Sequence, residues 1–167
     1  GGNTAMDAAS ESARMGANNV ILAYRRSKEE MGGYNFEYDL ARNAGAKGLF
    51  NVQPVEITGN GKATGVKFIK TESINGKLEY IEGSEFTLDC DLVIKGTGQA
   101  KLGEFFGLID GLEIDKSTRI VVNGASFQTG NPKYFAGGDA VNGGAEVVNG
   151  AYDGKQAALG IENWLNK

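Results

Sequence analysis

The residues of this chain that can do chemistry are few, and most of them are glycines. Of 167 residues 26 are Gly, none is His, and Cys90 is the single cysteine. A His-based triad, a His-ligated metal, an internal disulfide, a Cys-x-x-Cys redox pair and an all-cysteine cluster are therefore excluded within this sequence. What remains is backbone chemistry at three glycine turns. The first is Gly1-Gly2-Asn3-Thr4-Ala5, the second Lys95-Gly96-Thr97-Gly98-Gln99, and the third runs from Gly137-Gly138-Asp139 through Gly143-Gly144 to Ala145-Glu146-Val147. The first and third lead into helical spacing. Free N–H groups at a helix start, reinforced by the helix dipole, hold an anion or an electron-rich ring. Glycine lets such a ligand approach the backbone closely. The bland reading of each turn is helix capping alone.

The elements that must position these turns follow from periodicity. After Ala5, helical spacing runs through Ala13 to Met15, Gly16 ends it, and residues 20–24 read as an apolar strand. The order of phosphate loop, helix and strand looks like the second half of a G-x-G-x-x-G/A fingerprint. Gly2 stands as its second glycine, against which a pyrophosphate lies, and Ala5 as its third position, allowing close helix packing. The first strand and first glycine of that fingerprint would precede Gly1, so the sequence reads as a piece of a longer chain. The alternative is that Gly1 and Gly2 merely precede an amphipathic helix. The ribose of a bound dinucleotide is read roughly 20 residues past the glycines. Arg25 and Arg26 stand there, with no acid until Glu29. Arginine grips a 2′-phosphate with its planar fork, which favours NADP over NAD; the other reading is two solvated arginines at a strand end.

Residues 34–44 read as a helix with Phe36, Leu40 and Ala44 on one face, and residues 49–52 as a short strand. Residues 54–58 and 64–72 form a hairpin. A turn at Asn75-Gly76-Lys77 leads to a third strand ending near residue 88, which completes an antiparallel meander. Residues 91–94 read as a buried strand, residues 119–123 as another, and a helix begins near Ala145 and continues to Trp164 or Leu165. Cys90 reads as a small core or edge residue.

Several of these stretches carry a resemblance. They are Gly-Gly-Asn-Thr-Ala-Met-Asp-Ala-Ala at the start, Tyr24-Arg25-Arg26 followed by Glu30-Met31, and Tyr134-Phe135-Ala136-Gly137-Gly138-Asp139 followed by Asp153-Gly154-Lys155-Gln156-Ala157. With them the chain resembles, over nearly its whole length, the glutamate synthase small subunit and dihydropyrimidine dehydrogenase family of flavoproteins. The resemblance implies an α/β fold: a Rossmann-like NAD(P)H-binding domain with an antiparallel β-meander at residues 1–98, lacking its first strand, and the C-terminal part of an FAD-binding domain at residues 99–167. It implies hydride transfer from NADPH to FAD, with electrons passed to an iron–sulfur domain or subunit elsewhere, since one cysteine cannot hold a cluster. Gly2, Asn3, Thr4, Ala5, Arg25 and Arg26 would contact NADPH, and Gly96 and Gly98 would bring backbone near the cofactor. Gly138 and Asp139 would meet the flavin, Asp139 at its ribityl hydroxyls. The helix start at Ala145, Glu146 and Val147 would face the flavin's pyrimidine end. No catalytic side chain and no metal ligand is expected. Asp153 to Ala157 tilts the resemblance toward the pyrimidine dehydrogenase type. The sequence departs from the family at Gly32-Gly33, where Pro usually follows the Met, and around Lys95-Gly96, where Ala is frequent. A thioredoxin-reductase-like enzyme is a rival against which the missing Cys-x-x-Cys counts; a non-catalytic nucleotide-binding module is another.

The net charge of −4 with scattered lysines argues against a nucleic-acid surface. No apolar run approaches the roughly 20 residues that cross a bilayer, and a cytoplasmic location is the default expectation. A parallel sheet without an inner strand leaves backbone groups unpaired, so a tendency to form a homodimer or to aggregate through that gap is expected. Size-exclusion chromatography across a concentration series checks this, and a strictly monomeric profile at the highest concentration would count against it.

Overall fold

A computed structural model describes residues 1–166. It divides into two compact units, Gly1–Gly98 and Gln99–Lys167. The first unit begins with α1 (Asn3–Arg14), β1 (Ile21–Tyr24), a 3-10 turn (Lys28–Glu30), α2 (Asn35–Asn43) and β2 (Lys47–Phe50). β1 and β2 pair in parallel, Ile21 opposite Lys47 and Tyr24 opposite Phe50, and α2 is the crossover between them. Side chains of a strand alternate between faces. Leu22 accordingly joins a core with Met6, Ala9, Tyr38, Ala41 and Ala46, while Ala23 and Leu49 pack on the other side against Val52, Val66 and Phe68. The face of α2 that packs inward carries Tyr38 and Ala41; Phe36 and Leu40 are exposed.

The second core belongs to an antiparallel meander of β3 (Val52–Gly59), β4 (Ala63–Ile74), β5 (Lys77–Tyr80) and β6 (Phe86–Asp89). β4 is its spine, pairing with β3, β5 and β6. β5 and β6 run along β4 as one strand interrupted by residues 81–85. The register of β3 slips between Pro54 and Glu56, where the proline lacks a ladder N–H. Asn75 (φ 52°) and Gly76 (φ 77°) make the tight β4–β5 turn, the two-positive-φ geometry that hairpins prefer. Two α/β layers with a β-meander agree with the expected fold class. Residues 91–94 differ from expectation. They form no ladder, and Leu92 and Ile94 are largely exposed. Val93 packs on the meander core, but among the described residues no strand lies alongside to receive the backbone groups of this run.

The second unit contains α3 (Gly103–Phe106), α4 (Asp139–Asn142) and α5 (Val147–Leu165). The strand expected at residues 119–123 is reduced to the single bridge Ile114–Ile120, with a second bridge at Gln128–Phe135. The side chain of Asp115 accepts N–H groups of Ser117 and Arg119 at 2.8 and 2.9 Å and closes the turn between the bridged residues, while beyond it the Ile120 and Asn123 N–H groups go to the carbonyls of Ala140 and Gln128 and no ladder extends. α5 lies against the loop at Ser126. A Cβ on Gly160 would collide with the Ser126 carbonyl, and Trp164 meets Phe135 edge-on at 6.4 Å. No described helix is long and apolar enough to cross a membrane.

Met6 is the largest fully buried side chain and is 1% exposed. It anchors α1 to α2 and β1. Met6→Ala is expected to lower stability by about 2–5 kcal/mol and Met6→Leu by less than about 1.5 kcal/mol, read as shifts of the urea midpoint.

Candidate functional site

The first turn of α1 is open on one side and floored on the other. Gly2 caps the helix without a side chain, and its carbonyl accepts the N–H groups of Ala5 and Met6 at 3.0 and 3.3 Å. The N–H groups of Asn3 and Thr4 have no intrahelical acceptor, and no acid stands in this turn to compete for an anion. A Cβ placed on Gly2 would meet nothing within 4 Å, so its approach is clear. Gly96 lies directly beneath: a Cβ there would sit 2.8 Å from Cβ and 3.0 Å from Cα of Ala5. Gly96 and Ala5 are therefore small for the same reason, which is close contact between loop and helix. Gly98, with φ 85°, faces open space. Asn3 has a structural task, since its Oδ1 accepts the Tyr34 N–H at 2.8 Å. Gly33 is fixed by the same packing: a Cβ there would come within 2.6 Å of Met6 Cε and 2.8 Å of Asn3 Oδ1.

The two arginines after β1 have different fates. Arg26 Nη1 pairs with Glu30 Oε1 at 3.0 Å. Arg25 is exposed and makes no ion pair among the described residues, while its carbonyl accepts the Thr71 hydroxyl at 2.7 Å. Asn51 (φ 56°) ties the loop to the meander, giving its N–H to Arg26 O at 3.1 Å and its carbonyl to Thr71 N–H at 2.9 Å. The structure thus gathers Gly2, Asn3, Thr4, Ala5 and Gly96 at one helix start and leaves Arg25 as the unengaged cation after β1.

In the second unit the glycine turn is held by a residue that sequence reasoning did not place. Gly138 (φ 63°, ψ −146°) donates its N–H to Asp153 Oδ2 at 2.8 Å, and Asn142 Nδ2 reaches the same oxygen at 3.3 Å. Gly137 backs onto Asp153, where a Cβ would come within 2.8 Å of the Asp153 Cβ. In the sequence Asp153 stands out only as part of the segment at residues 153–157, with no role of its own; the signal would have been its place on α5 opposite a turn with a free N–H. Asp139 is exposed at the start of α4. α5 begins at Val147, two residues past Ala145. Gly143 (φ 86°) and Gly144 (φ 114°) are left-handed and end α4, and the extended backbone of Glu146 (φ −80°, ψ 162°) sets the start of α5 at Val147. Glu146 is the cap, its N–H donating to Asn149 Oδ1 at 3.1 Å. Val147 and Val148 are therefore the first helical residues, and both are largely exposed. Behind Gly143 lies Arg119, held to Asp115 by contacts of 2.8 Å from Nε and 2.6 Å from Nη2. The backbone N–H and side chain of Arg119, with the Ser117 N–H, hold the Asp115 carboxyl below the ordinary carboxylate range.

Cys90 is half-buried at the edge of the meander core. No group of three or more His, Cys, Asp or Glu suited to a metal ion occurs among the described residues.

Residues 1–154 match the family described as pyridine nucleotide-disulphide oxidoreductase. The glutamate synthase [NADPH] small chain of Escherichia coli is 42% identical over 99% of this chain, and that of Halomonas elongata 38% identical over 99%. In both cases the match occupies 37% of the relative, so the chain spans just over a third of the length of these curated relatives. Among solved structures, T. acidophilum thioredoxin reductase is similar, with TM-score 0.80 and 25% identity, over 100% of this chain and 51% of that one. These relatives support the glutamate synthase side of the expected family.

Asp153→Ala would leave the Gly138 N–H and the Asn142 amide without their acceptor, at an expected cost of about 1–3 kcal/mol, measurable by chemical denaturation. Asp115 adds an acid-dependent component. Its folded pKa lies below its unfolded value, so its contribution is present above the ordinary carboxylate range and is lost as pH falls through the folded value. Thermal midpoints taken from neutral to strongly acidic pH should show a shallower acid limb in Asp115→Asn than in the parent.

Proposed function

The chain belongs to the pyridine nucleotide-disulphide oxidoreductase family, and from that premise we propose that residues 1–98 bind NADPH and residues 99–167 form part of an FAD site, within an oxidoreductase that passes reducing equivalents from one to the other. The observation that carries this reading is the first turn of α1. Its N–H groups at Asn3 and Thr4 are unengaged, Gly2 leaves room for a pyrophosphate, and no carboxylate opposes it. Arg25, exposed and without an ion pair among the described residues, suits a 2′-phosphate. Gly96 keeps the floor of the site flat against Ala5, and Asn3 holds the neighbouring loop through Tyr34.

For the flavin, the exposed carboxylate of Asp139 can accept hydrogen bonds from ribityl hydroxyls, and Gly138 is held in place by Asp153. The start of α5 presents the N–H groups of Val147 and Val148 in a dipole that favours negative charge. When bound, the nicotinamide supplies hydride and the flavin accepts it; the chain contributes binding, orientation and electrostatics. That division of labour asks for no side-chain acid or base, which agrees with a sequence lacking histidine. The words "NADPH" and "small chain" in the relatives' names support NADPH as donor and a partner subunit as acceptor. We place the onward iron–sulfur centre on that partner or on another domain, because Cys90 is the only cysteine here.

Incubation with FAD, desalting and visible absorption test the flavin half, and a fluorescence titration with NADPH and NADH tests the other. Binding of NADPH in preference to NADH is expected, with Arg25→Ala reducing that preference by about tenfold or more, the order of a charged hydrogen bond. A protein that retains no flavin and ignores both nucleotides sinks the reading.

A further inference from the structure

The loop that carries Arg25 and Arg26 is held by the meander, and the contacts single out a residue with no role so far. Glu30 closes the 3-10 turn after β1. Its carboxylate accepts Arg26 Nη1 at 3.0 Å, the Ser27 N–H at 3.2 Å, and the Ser73 hydroxyl at 3.0 and 3.3 Å on its two oxygens. Its carbonyl accepts the Tyr24 hydroxyl at 3.0 Å. Ser73 comes from β4, two residues after Thr71, so the two hydroxyls leave the same face of the strand. Thr71 binds the Arg25 carbonyl and Ser73 binds Glu30. One strand of the meander therefore holds both ends of the arginine loop.

We propose that Glu30, braced by Ser73 of β4, is a positioning residue that holds the Arg26 guanidinium ready beside Arg25 and so sets the preference for a 2′-phosphorylated nucleotide. This rests on the NADPH reading above. The Glu30 pair engages Nη1 of Arg26 and leaves the Nε–Nη2 edge of the fork for a phosphate. A long side chain fixed before the ligand arrives loses less conformational freedom on binding. The obvious objection is charge, because a carboxylate near a phosphate repels it. Here the carboxylate is surrounded by donors, and the Ser27 N–H, then the Ser73 and Arg26 hydrogen bonds, hold its pKa below the ordinary range. It therefore stays ionised, and its charge is offset by the Arg26 guanidinium paired with it at 3.0 Å. The pair is partly exposed to solvent, with side-chain exposures of 29% for Arg26 and 34% for Glu30. Exposed pairs contribute little to folding, so the interaction is better suited to geometry than to stability.

The test is the ratio of affinities for 2′,5′-ADP and 5′-AMP, measured by calorimetry on the parent, Glu30→Ala, Glu30→Gln and Ser73→Ala proteins, with thermal midpoints in parallel. Glu30→Ala is expected to lower the ratio by about tenfold with 5′-AMP affinity and midpoint unchanged. Ser73→Ala should lower it by about threefold, and Glu30→Gln, whose single amide oxygen can take Arg26 but whose NH2 then faces the Ser27 N–H, should restore only part of it. A ratio that stays the same or rises in Glu30→Ala and Ser73→Ala overturns the proposal, a rise meaning that Glu30 opposes the phosphate. Equal losses for both nucleotides would also overturn it, by reducing Glu30 to a scaffold. A parent protein that does not prefer 2′,5′-ADP fails earlier, at the NADPH reading itself. Should Glu30→Ala not fold, the ratio in Ser73→Ala decides.

Discussion

Thr71 is 3% exposed and joins two pieces of secondary structure that share no ladder. Its hydroxyl donates to the Arg25 carbonyl at 2.7 Å and its N–H to the Asn51 carbonyl at 2.9 Å, while the Asn51 N–H goes to the Arg26 carbonyl at 3.1 Å. A buried polar group left unmatched costs more than a matched one contributes. The cluster is therefore a constraint on the whole first unit. Asn51 must turn left-handed to serve both partners, and asparagine tolerates that conformation where a branched residue would not. With the junction fixed, the meander core of Val52, Val66 and Phe68 can close over Ala23 and Leu49. The other face of β1 is then free to receive α1, whose start is the proposed phosphate site.

Both proposed cofactor regions rely on backbone groups, and side chains act mainly as their supports. Asn3 uses its amide oxygen to hold Tyr34, and Asp153 uses a carboxylate oxygen to hold Gly138. Gly96 serves by having no side chain at all. This pattern agrees with chemistry carried by cofactors, where protein groups need to be placed once and then stay still.

Much of the fold was legible because local rules and tertiary packing agree. Gly16 ends α1, Asn75-Gly76 makes the hairpin turn, and the apolar spacing of residues 151–165 continues α5 to Leu165. The misreadings came where partners decide. Residues 91–94 have the composition of a buried strand, but a ladder requires a neighbour, and none of the described strands offers one. Residues 119–123 likewise look like a strand, yet their N–H groups go to scattered partners, Arg119 to the Asp115 carboxylate and Ile120, Val121 and Asn123 to the carbonyls of Ala140, Glu113 and Gln128. The helix start lies two residues past Ala145 because Glu146 takes the extended conformation of a cap (φ −80°, ψ 162°). In the site, the glycines and arginines were visible as types. The difference between Arg25 and Arg26 was not, because it depends on a carboxylate in a turn and a serine on a distant strand. Asp153 was hidden for the same reason: its partner lies 15 residues away in sequence.

The contact of Gly160 with the Ser126 carbonyl, together with the Asp153 bond to Gly138, gives α5 two fixed points along its length. A helix pinned in this way opens as a unit, since loosening one end releases the other contact only when the intervening turns also break. Amide protons of the Gly138 turn would then exchange with solvent on the schedule of α5, although the turn itself is short and rich in glycine. A segment that composition alone marks as mobile is made slow by a helix that follows it in the chain.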